Sequence, residues 1–106
     1  MALTMKSGVQ YLGLDYCGAN DTGWTLLGPM GSRLFTKQIT YSSAFVTGTV
    51  AIGLSVMSVY MIGSDQGLKL DLKALAVTVV GFTLQVSTWD NCQIKGLGVQ
   101  WLAYTQ

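Results

Sequence analysis

Two stretches near the end of the chain carry apolar residues at every second position. In Gly81–Thr88, Phe82, Leu84 and Val86 share one face while Thr83, Gln85 and Ser87 share the other. In Gly98–Tyr104, Val99, Trp101 and Ala103 form the matching apolar face. This period of two predicts a pair of half-buried β-strands joined by a turn that opens on Trp89-Asp90-Asn91. The run Leu68-Lys69-Leu70-Asp71-Leu72-Lys73 alternates as well, with the leucines inward and Lys69, Asp71 and Lys73 toward water. That is the pattern of a sheet wetted on one side, and it continues through Val79 to a turn near Gly81. Strands are expected near 6–12, 35–41, 45–60, 67–79, 82–88 and 97–104, with Gly28-Pro29-Met30-Gly31-Ser32 as a loop. Long amphipathic helices with capping boxes are not found. The expected fold is therefore all-β, a six-stranded antiparallel β-sandwich, with residues 1–106 forming a single domain.

The segment Ala44–Gly63 is strongly apolar, and no charge falls between Lys37 and Asp65. Its length matches the roughly 20 residues a transmembrane helix needs. Its Thr47, Gly48, Thr49, Gly53, Ser55 and Ser58, scattered among Val and Ile, instead give it the composition of a buried strand with breakers. Membrane insertion is not expected. Across all 106 residues, half are apolar and only 10% are charged, against the roughly 25% usual for soluble domains. A small sandwich with so little charge is expected to bury part of its surface in an oligomer. The net charge of +1 leaves no electrostatic footprint for nucleic acid. Met1–Gly8 shows no basic segment followed by an apolar run, so no signal peptide is visible. A cytosolic protein, a non-classically secreted one, or the mature form of a secreted one is expected.

The chain has no histidine, which removes the usual general base and the commonest metal ligand. A Ser-His-Asp or Cys-His arrangement cannot be built. Asp15, Asp21, Asp65, Asp71 and Asp90 are scattered, and nothing in their spacing favours a paired-carboxylate hydrolase. No phosphate-binding, dinucleotide or calcium-loop motif is present, and neither a cofactor nor a metal is expected. Cys17 and Cys92 permit one bridge, which would contribute about 4 kcal/mol on the chain-entropy model; free thiols are equally compatible with the sequence. What remains is the turn itself. A large ring beside two short polar side chains suits a ligand that is polar with an apolar patch, as a sugar is. The plainer alternatives are core packing for Trp89 and ordinary turn chemistry for Asp90-Asn91. Trp24 and Trp101 read as core or interface.

Gly81-Phe82, the turn Thr88-Trp89-x-Asn91 and the closing Val99-x-Trp101-Leu102-Ala103 together resemble the C-terminal signature of the H-type lectins. That family includes snail agglutinins and the C-terminal domains of slime-mould discoidins. The resemblance extends upstream through Ser7-Gly8, Gly23-Trp24 and Gln38-Ile39-Thr40-Tyr41. It implies a six-stranded antiparallel sandwich that forms homotrimers, sometimes paired into hexamers. It further implies binding of galactose or N-acetylgalactosamine near protomer boundaries, without catalysis.

By the same resemblance the site would be made of Gly28, Lys69, Trp89, Asp90 and Asn91. Trp89 would be the stacking plate and Lys69 the donor, with Asp90 and Asn91 as acceptors. Three positions depart from the family. Lys69 replaces an arginine and loses its planar two-pronged donor. Met30 stands where an acid often accepts hydrogen bonds from sugar hydroxyls. Asp90 stands where snail members often carry histidine. These departures bear on sugar preference and not on the fold. The expected function is multivalent glycan binding, possible on cell-surface glycoconjugates. The alternative is a structural or assembly module whose sugar site has decayed.

Overall fold

The computed structural model describes residues 4–28, 30–46, 48–64 and 67–105. Pro29, Thr47 and Asp65, which entered the sequence reading, lie outside them. Six strands follow one another: β1 (Thr4–Gly13), β2 (Arg33–Thr40), β3 (Val50–Gly63), β4 (Asp71–Leu75), β5 (Gly81–Thr88) and β6 (Gln93–Thr105). They form two antiparallel three-stranded sheets, in the orders β1-β6-β3 and β2-β5-β4. No helix occurs among the described residues, so none is long and apolar enough to cross a membrane.

The central strands of the two sheets are β5 and β6, the pair expected on either side of the Trp89-Asp90-Asn91 turn. Phe82, Leu84 and Val86 of β5 are fully buried, as are Ile94, Leu97, Val99 and Ala103 of β6. Each of these except Ala103 contributes about 1.5–3 kcal/mol by leaving water. Trp101 faces the opposite sheet, with its ring centroid 5.9 Å from that of Phe82 and 5.6 Å from that of Tyr41. Gly8 is what lets the indole lie there. A Cβ on Gly8 would stand 2.6 Å from Trp101 Cζ2. Trp24 is also core, donating its indole N–H to the Ile94 carbonyl at 2.9 Å.

β6 begins at Gln93, ahead of the expected 97, and two further strands differ from the sequence reading. The run expected from 67 to 79 pairs only over Asp71–Leu75. Ala76 takes a positive φ of 50°, and the Thr78 hydroxyl then accepts from the Val80 and Gly81 amides, folding the segment into a turn. The apolar run expected from 45 to 60 forms β3, from Val50 to Gly63, and β3 lies at a sheet edge rather than in the interior. Its register shifts between Val56 and Ser58 and again near Met61. Val56, Met57, Tyr60, Met61 and Ile62 are exposed because one sandwich has no third layer to cover them. The cysteines are not bridged: Cys17 is exposed, and Cys92 is buried beside the Met61 thioether at 3.6 Å.

The two outer faces contrast. Leu34, Thr36 and Gln38 share that of the β2-β5-β4 sheet with Thr83, Gln85, Ser87, Asp71, Lys73 and Leu75, a mostly polar and charged surface with two exposed leucines. On the β1-β6-β3 sheet, Met5, Ser7, Val9 and Tyr11 align with Tyr104, Leu102, Gln100 and Gly98, and β3 adds Ala51, Gly53 and Ser55. That stretch carries no charged side chain, while Met5 and Val9 are about half exposed.

Candidate functional site

β5 ends at Thr88, whose side chain is buried and whose hydroxyl donates to the Lys69 carbonyl at 2.5 Å. That bond fastens the approach to β4 against the end of β5. The chain then reverses over Trp89-Asp90-Asn91-Cys92, with the Cys92 amide pointing back to the Trp89 carbonyl at 3.4 Å. Asp90 accepts the positive φ of 55° that this reversal requires, a conformation aspartate tolerates better than most residues. Cys92 is fully buried, and its sulfur accepts from the Lys69 amide at 3.5 Å. With its base anchored in this way, the turn leaves Trp89 39% exposed at the rim.

Lys69 lies just ahead of β4, and its side chain turns toward the rim instead of the outer sheet face. Its Nζ is 2.6 Å from Asp90 Oδ2, with the lysine side chain 13% exposed and the aspartate 64%. A pair so open on the carboxylate side contributes about 0–1 kcal/mol to stability. Its consequence is positional: an ammonium is held against the carboxylate of the residue that follows Trp89. Asn91 is half-buried in the same turn.

Beside this turn lies the loop described by residues 25–28 and 30–32. It is tied to β6 by the Ile94 amide donating to the Leu26 carbonyl at 2.9 Å and by the Gln93 side chain donating to the Leu27 carbonyl at 3.2 Å. The Gly31 amide donates to the Asp90 carbonyl at 2.9 Å. Gly28 lies in this loop, where an added Cβ would meet Arg33 Cδ at 3.0 Å. Met30 is 67% exposed. The structure therefore places Gly28, Lys69, Trp89, Asp90 and Asn91 in one region, where the loop after Trp24, the approach to β4 and the β5–β6 turn meet. In chemical terms it offers an exposed aromatic edge flanked by a hydrogen-bonding acid and amide, a set suited to binding a polyhydroxylated ring.

Sequence reasoning missed Arg33. It is the chain's only arginine, and it donates to four main-chain carbonyls: Gly31 at 2.8 Å, Leu26 at 3.2 Å, Gly28, and Asp90 at 2.8 Å. A solitary arginine directly after a glycine-rich loop was the available signal. Elsewhere, a polar cleft of about 380 Å³ lies between the end of β1 and Lys37, where Lys37 is paired with Asp21 at 2.5 Å. Among the described residues, no group of three or more acidic or thiol side chains is arranged to hold a metal.

Comparison with known proteins agrees with this architecture. The profile of the H-type lectin domain matches residues 36–104. No curated protein matches the sequence. The solved structure of wild-type discoidin II from Dictyostelium discoideum superposes with a TM-score of 0.77 at 17% identity, covering 97% of this chain and 36% of that one. Native recombinant discoidin II of the same organism gives the same TM-score and identity, with 97% and 37% covered. The chain spans little more than a third of the discoidin II length. At this identity the likeness shows the fold alone. The profile begins at Thr36, so β1, the Thr25–Ser32 loop and Arg33 are related to the discoidins through the fold only.

Proposed function

Because this chain belongs to the H-type lectin family, we propose that it is a carbohydrate-binding lectin, acting by recognition without catalysis. The preferred ligands are glycans ending in galactose or N-acetylgalactosamine. The binding site is the rim made by Gly28, Lys69, Trp89, Asp90 and Asn91. The observation that carries this reading is an exposed Trp89 on a turn whose next residue, Asp90, holds Lys69 at 2.6 Å, on a domain of this family. A galactose-type ring has a patch of C–H groups that stacks on an indole, and its hydroxyls engage the carboxylate and amide alongside.

Residues 1–106 act as one binding domain within a homotrimer or a hexamer. Support comes from the uncharged outer face of the β1-β6-β3 sheet, with Met5 and Val9 exposed on it. An apolar face of that kind is covered when copies associate. With Met30 in place of a loop acid and a single ammonium in place of a forked donor, each site holds a free monosaccharide in the millimolar range, about 4 kcal/mol. Several sites on one oligomer engaging a dense glycan raise this by about 10² to 10⁴.

One observation favours a second reading, that of an assembly module with a decayed site. Lys69 is nearly covered, with its ammonium against Asp90. A glycan array probed with the wild-type protein and with Trp89→Ala separates the two. Binding to galactose-type termini that disappears in the variant supports the lectin. An oligomer that binds nothing on the array supports the assembly module.

A further inference from the structure

Arg33 opens β2 opposite the buried Thr88, and its guanidinium is surrounded by main-chain oxygens. Nε donates to the Gly31 carbonyl at 2.8 Å, one terminal nitrogen to the carbonyls of Leu26 at 3.2 Å and Gly28, and the other to the Asp90 carbonyl at 2.8 Å. The Gly31 amide donates to that same Asp90 carbonyl at 2.9 Å. Among the described residues, no carboxylate lies within ion-pair distance of Arg33. Its charge therefore acts on dipoles. Four carbonyls converging on one point repel one another unless a cation with several donors sits between them. The stem of the side chain crosses Gly28, where an added Cβ would stand 3.0 Å from Arg33 Cδ.

We infer that Arg33 is the positioning residue of the binding rim. It locks the main chain at Leu26, Gly28 and Gly31 to Asp90 and so fixes the turn that presents Trp89 and Asp90. Resting on the reading of this rim as the sugar site, the inference assigns Gly28 a structural task, to leave room for the arginine stem. A lysine at this position keeps the charge but has only a compact ammonium, which cannot span carbonyls placed around a planar fork.

The test is Arg33→Lys, read by amide hydrogen exchange and by binding to a surface dense in N-acetylgalactosamine. Exchange protection of the Gly31 amide should fall at least tenfold, and glycan binding should fall at least tenfold with it. The amides of Val86 and Val99, in the central strands, should exchange at wild-type rates, with the oligomer mass unchanged. Gly28→Ala, which pushes the stem without removing the cation, should shift the same two readouts in the same direction by a smaller factor. Wild-type protection at Gly31 with wild-type glycan binding in Arg33→Lys would overturn the inference. So would a loss of protection throughout β5 and β6, which would make Arg33 a support of the whole sandwich. A wild-type protein that binds no glycan, yet loses Gly31 protection in the variant, would refute the binding function and leave the brace itself established.

Discussion

Tyr41 is buried in the aromatic cluster with Phe45, Phe82 and Trp101, and its hydroxyl finds no hydrogen-bond partner among the described residues. Desolvation raises its pKa above the ordinary 10.0. The folded chain thus keeps a proton that the unfolded chain releases once pH passes that value. Stability from this group is complete below the ordinary phenol pKa and is lost as pH rises toward the folded one. Tyr41→Phe removes an unpaired polar atom and should raise stability by about 1 kcal/mol. It should also lessen the loss of stability as pH rises above the ordinary phenol value of 10.0, as urea titrations at several pH values would measure. At the rim, Trp89→Ala removes a stacking surface worth about 1–3 kcal/mol by analogy with bases on aromatic side chains. Monosaccharide binding should vanish by calorimetry with the melting temperature nearly unchanged, since the ring is 39% exposed; an unfolded variant would assign Trp89 to the core. In the otherwise wild-type protein, Asp90→Asn should weaken the already millimolar binding, whereas Met30→Asp should strengthen the response to N-acetylgalactosamine. Unchanged titrations with both variants would place the acceptor elsewhere.

Among the elements, β5 and β6 support the most. Leu84→Ala should cost about 2–5 kcal/mol, because Leu84 is fully buried in a central strand. Leu34→Ala, on the exposed outer face of β2, should cost far less. Denaturant midpoints of the two variants check the contrast. These central strands were also the most legible in the sequence, since a strand with one face in the core must alternate and theirs does. Edge strands were harder to delimit. β3 is apolar on both faces, so its composition announced a strand without marking its ends, and β4 stops at a backbone reversal at Ala76 that no side-chain pattern announces. The Trp89-Asp90-Asn91 turn was legible as a loop tip. The turning of Lys69 away from the outer face was not, because it depends on the Thr88 and Cys92 anchors that hold its backbone. Arg33 was least legible of all, since its partners are carbonyls, which every residue has.

At the scale of the whole molecule, the proposed oligomer forms through the uncharged outer face. Val9→Lys places a charge in the middle of the uncharged face and should convert the oligomer into a folded monomer, seen by light scattering. Binding to a dense glycan surface should then fall by about 10² or more while the free-sugar affinity of each site is kept. A variant that retains the oligomer would move the interface to another face. The central claim is that a sugar occupies the rim of Trp89, Lys69 and Asp90, and a crystal of the protein soaked in N-acetylgalactosamine tests it most directly. The predicted result is a pyranose with its C–H patch on the Trp89 indole and its hydroxyls on Asp90 and Asn91. A sugar bound instead in the cleft beside Lys37 and Asp21, with the Trp89 rim empty, would contradict it.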